Sequence, residues 1–282
     1  MQIRLLDSRD EPQLEQFLHA RRDSSMFLRS NANRGGLEHS DRMPKEIFVG
    51  AFQDGEIVGV AAQGASGMLL LQAPGSVSHL ARACVGLSQR AVTGLAGPLP
   101  QVEQAKLALG LKAENASYDC DEWLYGLDLC DLAVPIALST GLVACRAPIP
   151  SERDTLRAWR LAYDIETLGA TDTDETRERS TRFLDQQIAD GNAWVALEGG
   201  APASLSAFNA ALPDTVQLGG IYTPPALRGR GFARIAVAAS LLAARDWGAE
   251  RAVLFTNNPS AARAYEALGF RRTGSYGVMF LR

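Results

Sequence analysis

The residues best placed to do chemistry form a short segment in the last quarter of the chain, with the sequence RGRG at 228–231. A strand is predicted before it at 215–222, and a helix is predicted after it because apolar residues recur there at helical spacing. The first amides of a helix have no partner within the helix, and the helix dipole places partial positive charge on them. Glycines let an anion approach the backbone, and arginines add charged hydrogen bonds. The segment therefore predicts a binding site for a small phosphorylated molecule.

A second motif follows after a further predicted strand. Asn258 has the side chain of a helix-capping residue, and Gly269 is placed to end the short helix that it would start. Tyr265 lies between them. The second motif therefore predicts a short capped helix that carries a tyrosine.

In order and separation, these two motifs resemble those of the GNAT superfamily of N-acetyltransferases. The diphosphate loop of that family is matched by Arg228, Gly231 and Ala233. The second motif of the family is matched by Asn258 and Tyr265, followed by the closing Leu-Gly-Phe sequence. The resemblance covers roughly the second half of the chain, residues 141–282.

The resemblance implies an α/β fold with a mixed, mostly antiparallel central sheet flanked by helices. It also implies acetyl-CoA as the co-substrate, with its diphosphate on the RGRG loop and its pantetheine arm along the end of the preceding strand. Tyr265 would be the general acid that protonates the departing thiolate. The residues assigned to acetyl-CoA are Ile221, Tyr222, Thr223, Arg228, Gly229, Arg230, Gly231, Phe232, Ala233, Arg234 and Asn258.

The residue that would receive the proton of the amine is less directly indicated. Many GNAT enzymes carry a glutamate on the strand before the loop, but residues 216–222 contain no acid. Asp164 and Glu166, on the first predicted helix of the second half, are the candidates, acting directly or through water. We take Glu166 as the second catalytic candidate, although a solvated carboxylate is the commoner state of such residues. Tyr222 is expected either to orient the acceptor or to pack.

Composition and charge exclude several classes of protein. A chain of 282 residues with 46% hydrophobic and 21% charged residues predicts a globular protein, and its length favours two domains. A net charge of −4 gives no electrostatic reason to expect nucleic acid or an anionic membrane as partner. The four cysteines and three histidines lack metal-site spacing, so we expect no metal and free, buried thiols. We find no apolar leader or membrane-spanning run, and expect a cytoplasmic protein.

An internal repeat organises the chain. The loop QAPG at 72–75 lies between a predicted strand and helix, as the loop at 228–231 does. Residues 100–111 (PQVEQAKLALGL) align with residues 259–270 (PSAARAYEALGF) at nearly the same separation. The repeat predicts two related domains in tandem.

We place these domains at residues 1–140 and 141–282. The first copy has Leu99 and Lys106 where the second has the asparagine and tyrosine of its second motif. Pro74 also removes an amide donor from the first loop. The first domain is therefore interpreted as a degenerate GNAT-like domain, with structural support for the second as its expected role and a residual ligand pocket as the alternative.

Turn and capping residues set further expectations. Asp54-Gly55 predicts a hairpin over 48–60. Ser151 is predicted to cap a helix over 152–168, with the apolar face to the core. The remaining expectations are helices at 11–22 and within 171–188 (mainly exposed), a short helix and loop at 24–42, a strand at 142–147, and buried Leu156, Trp159, Tyr163 and Ile165.

The function expected from these patterns is acetyl transfer from acetyl-CoA to a primary amine of a small molecule or peptide by direct attack. The alternative is a sensor that binds acyl-CoA without turnover. A nucleotide-binding module is disfavoured, because the loop matches neither the P-loop nor the dinucleotide fingerprint. The acceptor stays open, as does the choice between monomer and homodimer.

Overall fold

The computed structural model describes residues 1–37 and 46–282 as alternating strands and helices. The strands are β1 (Gln2–Leu5), β2 (Ile47–Gln53), β3 (Glu56–Gln63), β4 (Met68–Gln72), β5 (Gly94–Pro98), β6 (Ala116–Asp128), β7 (Cys145–Arg146), β8 (Ala193–Glu198), β9 (Ala201–Ala211), β10 (Thr215–Tyr222), β11 (Arg251–Thr256) and β12 (Arg271–Leu281). The helices are α1 (Glu11–His19), α2 (Met26–Gly35), α3 (Val77–Ser88), α4 (Leu99–Leu109), α5 (Ile136–Ser139), α6 (Arg153–Leu168), α7 (Asp174–Ala189), α8 (Phe232–Asp246) and α9 (Pro259–Glu266). The chain is thus a mixed α/β protein, as the sequence predicts.

The chain forms two compact units. Unit 1 comprises Met1–Leu124 together with Thr273–Arg282, and unit 2 comprises Tyr125–Arg272. Unit 1 therefore contains most of the last strand of the chain as well as its first half. The tandem domains at 1–140 and 141–282 stay a prediction about the duplicated segments.

The sheet of unit 1 has the order β1-β2-β3-β4-β5-β12. Its neighbouring strands are antiparallel except β4 and β5, which are parallel. The predicted hairpin joins β2 and β3, with Asp54 and Gly55 at φ 52° and 86°. Residues Tyr276 to Phe280 of β12 lie opposite Pro98 to Gly94 of β5, and Met279 is buried in the core of this unit.

The sheet of unit 2 has the order β11-β10-β9-β8-β7, antiparallel except for the parallel pair β10 and β11. Val195 packs with Leu156 of α6 and Leu184 of α7, whereas its neighbour Ala196 packs with Ile235 of α8. Since successive strand residues point to opposite faces, α6 and α7 cover one face and α8 covers the other.

The two units share one order of elements. In each, a parallel pair of strands is joined by a helix and followed by a second helix, as β4-α3-β5-α4 and as β10-α8-β11-α9. Gly75 and Gly231 precede the joining helices with φ of 81° and 84°. Gly110 and Gly269 follow the second helices, also with positive φ. These matches agree with the internal repeat.

The start of α6 differs from the prediction. Ser151 does not cap it, because Ser151 lies within a turn of 3-10 helix, Pro150–Glu152, that precedes α6, and the Glu152 carboxylate caps that turn and makes no bond to the start of α6. That carboxylate accepts a hydrogen bond from the Ile149 amide at 2.9 Å and pairs with Arg146 at 2.7 Å. The Arg146 guanidinium holds the pKa of Glu152 below its usual range.

The buried face of α6 also differs. Leu156 is buried as predicted, but Trp159, Tyr163 and Ile165 are only half-buried. The other buried positions of this helix are charged, Arg160 and Asp164. The apolar pattern therefore identified Leu156 and missed the two buried charged residues.

Three smaller expectations are corrected. Strand β7 has two residues instead of six, because residues 141–143 turn back on α5, where the Val143 amide donates to the Ala137 carbonyl at 2.9 Å. Helix α1 ends at His19 and turns follow it, whereas α2 confirms the short helix predicted within 24–42, and the loop predicted after it runs beyond the described residues. The thiols are free, but Cys84 is buried whereas Cys130 is exposed. Burial raises the pKa of Cys84 to about 12.

Helix α7 is mainly exposed, as predicted, with a narrow buried stripe that includes Ser180 and Leu184. Among the described residues, no helix is long and apolar enough to cross a membrane.

Candidate active site

The loop after β10 has the geometry of an anion site. Two prolines and a short 3-10 turn, Pro225–Leu227, take the chain away from the sheet, and α8 begins at Phe232. Gly229 and Gly231 have φ of 76° and 84°, a backbone conformation that side chains disfavour. A Cβ at Gly229 would meet no atom within 4 Å, so the protein leaves space above the loop. The first amides of α8 are therefore presented at an open helix start.

Carboxylates hold the two loop arginines. Arg228 Nη2 lies 2.6 Å from Glu166 Oε2, and Arg228 Nε donates to the carbonyl of Thr223 at 2.9 Å. Arg230 forms an ion pair with Glu198 and lies over the ring of Phe232, 5.0 Å from its centroid. Arg234 is exposed on the first turn of α8. All three cations thus lie on or next to the open helix start.

Glu166 connects α6 to this loop. Its carboxylate accepts a hydrogen bond from the Tyr222 hydroxyl at 3.1 Å and pairs with Arg228. Burial, and then the bond to Glu166, raise the pKa of Tyr222. Four predicted site residues, Glu166, Tyr222, Thr223 and Arg228, are therefore in direct contact. Glu166 is half-exposed and already paired with a cation, which disfavours it as a proton acceptor.

The second motif forms α9. The Asn258 side chain accepts hydrogen bonds from the amides of Ser260 at 2.9 Å and Ala261 at 3.3 Å, so Asn258 caps this helix as predicted. Tyr265 is 8% exposed and packs edge-on against Phe270, with 6.0 Å between ring centroids. Gly269 ends the segment with φ of 102°.

Strands β10 and β11 separate next to the loop. Their paired residues run from Thr215 opposite Arg251 to Gln217 opposite Val253. Both strands continue beyond that pair, to Tyr222 and Thr256. In this part of the described chain the ladder ends at Gln217, so the last residues of β10 have a free edge toward β11.

Two bulges distort β10 against β9 in the same region. Asn209 is an extra residue on β9, between the pairs that Gln217 and Leu218 make. A side chain at Gly219 would overlap the Asn209 amide, since a Cβ there would lie 1.9 Å from Asn209 Nδ2. The second bulge lies on β10 at Gly220, where φ is 67°.

A buried charged cluster lies against the second bulge. Arg160 pairs with Asp164 at 2.9 Å, and the Ser180 hydroxyl donates to Asp164 at 2.5 Å. The Arg160 guanidinium also lies 4.2 Å from the ring centroid of Phe183, and its Nη1 would be 3.0 Å from a Cβ at Gly220. The expectation of a solvated Asp164 is therefore wrong. The cluster joins α6 to α7.

Gln217 was not among the predicted site residues. It is completely buried, and neither Oε1 nor Nε2 of its amide has a hydrogen-bond partner among the described residues. The sequence carries a signal for it, because Gln217 is the one polar side chain with an amide in a strand that is otherwise apolar, small or hydroxylated.

In the matching loop of unit 1 a side chain takes up one of the backbone amides. The Ala73 amide donates to Gln101 Oε1 at 2.6 Å, and Gln72 Oε1 accepts from the hydroxyls of Ser24 and Ser25. Pro74 has no backbone N–H, so this loop also lacks a second hydrogen-bond donor. This loop therefore offers a diphosphate fewer backbone donors than the loop at 228–231 does.

No group of three or more potential metal ligands occurs within residues 1–37 and 46–282. The candidate site offers backbone amides, arginines, tyrosines, carboxylates and the buried amide of Gln217.

Comparison with known proteins gives a consistent result. Residues 156–270 match the model of the Acetyltransferase (GNAT) family. A search of curated proteins found no match.

Solved structures match over nearly the full chain. A tandem GNAT protein from the clavulanic acid biosynthesis pathway aligns over 100% of this chain and 98% of its own, with 13% identity and a TM-score of 0.53. A GCN5-related N-acetyltransferase from Sphaerobacter thermophilus aligns over 99% of this chain and 94% of its own, with 16% identity and a TM-score of 0.58. A GCN5-related N-acetyltransferase from Kribbella flavida aligns over 93% of this chain and 95% of its own, with 17% identity and a TM-score of 0.57. At these identities the likeness establishes the fold.

Proposed function

We propose that this chain transfers an acetyl group from acetyl-CoA to a primary amine of a small molecule or peptide. The match of residues 156–270 to the Acetyltransferase (GNAT) family model supports this proposal. The observation that carries the proposal is the open helix start at Gly229 and Gly231, which lies directly after the strand that parts from β11. An anion at the loop and an extended arm along β10 fit this arrangement together.

The loop residues hold the co-substrate. Backbone amides from Gly229 to Arg234 donate to the diphosphate, and Arg228, Arg230 and Arg234 add charge. The free edge of β10 at Ile221, Tyr222 and Thr223 pairs with the amides of the pantetheine arm, as a further strand would. Binding of the diphosphate competes with Glu166 and Glu198 for the loop arginines.

Tyr265 acts as the general acid. The amine nitrogen forms a bond to the thioester carbon while the carbon–sulfur bond breaks, and Tyr265 gives its phenolic proton to the departing sulfur. The nitrogen loses its extra proton to solvent, and solvent restores the phenol. We assign Glu166 to holding Arg228, since its carboxylate is already ion-paired; its catalytic role from the sequence stays a prediction.

Unit 1 supports this site without chemistry of its own. The bond from the Ala73 amide to Gln101 takes one donor that a diphosphate would need, and Pro74 lacks another. The acceptor class stays open between small amines, amino acids, aminoglycosides and peptides.

The test is acetyl-CoA-dependent thiol release across a panel of these amines, with Tyr265→Phe alongside. We expect release with one class and a fall in kcat of about 10²-fold in the variant, the usual size of a general-acid contribution. Tyr125→Phe is the matched control, because its hydroxyl bonds Glu266 in the same unit at 2.9 Å, away from the loop. Protein that binds CoA and releases no thiol with any class would instead support the non-catalytic acyl-CoA sensor.

A further inference from the structure

The buried amide of Gln217 is an unusual feature of unit 2. The side chain has no exposed surface, yet both its oxygen and its nitrogen lack partners among the described residues. Most buried polar groups in folded proteins have a hydrogen-bond partner, and leaving one unmade destabilises the fold. An apolar side chain of the same size would avoid this cost. Gln217 is therefore costly to the fold unless something outside the chain binds it.

The position of Gln217 shows where that partner would lie. Gln217 and Val253 are the last paired residues of β10 and β11, so Gln217 stands at the closed end of the gap between the two strands. The loop that starts at Thr223 lies at the open end. A molecule bound along the gap from the loop inward has its inner end at Gln217.

The side chain of Gln217 belongs to the face covered by α6 and α7. Asn209, the extra residue of the first bulge, lies on β9, so alternation along β10 puts Gln217 on the same face as Gly219. On that face Gly219 leaves room for the Asn209 amide, and Gly220 leaves room for Arg160. Two neighbouring positions without side chains thus let the polar groups of Asn209 and Arg160 lie against the strand just beyond Gln217.

Other unpartnered polar atoms collect around the same strands. Arg160 Nη1 on α6 and Gln187 Oε1 on α7 are buried without a hydrogen-bond partner in the described chain. Arg160 lies against Gly220, and Gln187 Nε2 donates to the carbonyl of Phe208, next to the bulge at Asn209. Among the described residues, Ser76 is the only buried side chain of unit 1 with an unpartnered polar atom. The grouping of the other unpartnered atoms around β10 indicates that this face of the strand binds a polar molecule.

We propose that the Gln217 carboxamide contacts the reacting amine of the acceptor. This rests on the proposed function, in which the pantetheine arm pairs with the free edge of β10. The thioester at the end of that arm then lies in the gap between β10 and β11. The Oε1 atom accepts a hydrogen bond from an N–H of the amine, which leaves the nitrogen lone pair for the thioester carbon. The Nε2 atom donates to water or to an oxygen of the acceptor.

A carboxamide at this point selects the neutral form of the amine. A carboxylate favours an ammonium ion by charge, whereas a carboxamide neither carries charge nor takes a proton. The amine must then lose its proton in solution before it binds. The pH at which kcat/KM levels off is expected to follow the pKa of the acceptor itself.

The test compares three proteins with two acceptors of different pKa. In the wild-type protein the inflection of kcat/KM against pH should move with the acceptor. Gln217→Glu should shift that inflection to lower pH with both acceptors. Gln217→Met, which keeps the length and removes both polar atoms, should keep CoA binding and raise the unfolding midpoint, because the unpartnered amide is gone, while kcat/KM for the acceptor falls about tenfold or more, the loss expected for one hydrogen bond.

Gln63→Met is the matched control, because it removes another completely buried strand amide, one that lies in unit 1 and donates to the Gly67 carbonyl at 3.0 Å. We expect it to lower the unfolding midpoint and to leave the pH profile unchanged. An active wild-type protein whose kcat/KM and pH profile are unchanged in both Gln217 variants would overturn this proposal alone. A wild-type protein that binds CoA and acetylates no amine would overturn the proposed function, and this inference with it.

Discussion

Arg228 carries two contacts that a bound diphosphate must replace or adjust to. Its Nη2 pairs with Glu166 and its Nε bonds the carbonyl of Thr223, so the guanidinium lies along the end of β10. Both partners of the ion pair are nearly half-exposed, and such a pair contributes about 0.2–1 kcal/mol. The contact is therefore strong enough to hold the arginine and weak enough for a ligand to displace.

Glu166→Gln should tighten CoA binding. The variant removes the competing charge, and the free energy of the exposed pair corresponds to an increase in affinity of about twofold to fivefold. Calorimetric titration with CoA measures it. Asp172→Asn is the control, since it breaks an exposed pair of similar type with Arg177, away from the loop. Weaker CoA binding in Glu166→Gln would show that Glu166 orders Arg228 for the ligand instead of competing for it.

The loop residues can be predicted from sequence because their chemistry is local. Glycines with positive φ, arginines and a helix start are all readable within a few positions, and Gly231 and Arg228 lie where the spacing puts them. Gln217 and Asp164 could not be assigned in this way. Their burial depends on which helices cover β10, and a carboxylate one turn from an arginine is equally typical of a solvated helix face.

Helix α9 depends on its first residue. It has eight residues, and helices this short gain little from their own propensity. The Asn258 side chain satisfies two amides that would otherwise lack a partner within the helix. The same helix carries Tyr265, so the cap also fixes the position of the proposed acid.

Asn258→Ala should destabilise the protein by about 1 kcal/mol, the usual effect of losing an N-terminal cap. Urea unfolding measures the change. Asn258→Asp keeps a capping oxygen and should restore most of the loss, and Asn257→Ala, at the preceding exposed residue, controls for the substitution itself. Equal stability of Asn258→Ala and the wild-type protein would mean that the cap contributes nothing.

At the scale of elements, the sequence predicts the order of strands and helices well, and their ends less well. Strand β10 is found at the predicted residues because prolines follow it directly. Strand β7 is shorter than predicted because the chain turns at Gly141 and the Val143 amide bonds the carbonyl of Ala137 on α5. The face of α6 was misjudged because its buried charges satisfy one another across to α7.

Unit 1 draws on both ends of the chain. The sequence of Arg271–Leu281 gives no register, so pairing of β12 with β5 was not predictable from it. The duplicated order of elements was predictable, since the repeated loops and glycines are local signals. Long-range pairing is decided by the whole sheet.

Unit 1 also buries a carboxyl group. Glu122 accepts a hydrogen bond from the Tyr118 hydroxyl at 2.7 Å, and burial raises the pKa of Glu122. A raised pKa in the folded state contributes stability below the unfolded pKa of the group, and this stability is lost as pH rises through the folded pKa. Ionisation of Glu122 therefore opposes folding as pH rises above the usual pKa of a glutamate.

Glu122→Gln should raise the thermal midpoint near pH 7 and leave it unchanged near pH 4, where the wild-type carboxyl is protonated. The amide oxygen keeps an acceptor for Tyr118 while the charge is lost. Thermal melts at the two pH values measure the effect, and Glu103→Gln, on an exposed carboxylate, serves as the control. A variant less stable than the wild-type protein at both pH values would show that the carboxyl is needed in its own right.

The most direct test of the diphosphate site uses the internal repeat as its own control. Gly231 and Gly75 have nearly the same φ, 84° and 81°, and neither would meet an atom closer than 3.8 Å on gaining a Cβ. Gly231→Ala and Gly75→Ala should therefore lose a similar amount of stability, about 1–2 kcal/mol for a left-handed residue with a side chain. Calorimetric titration with CoA should show about tenfold or greater loss of affinity in Gly231→Ala alone, because only its loop presents amides to the ligand. Equal CoA affinity in both variants and the wild-type protein would contradict a diphosphate site at the start of α8.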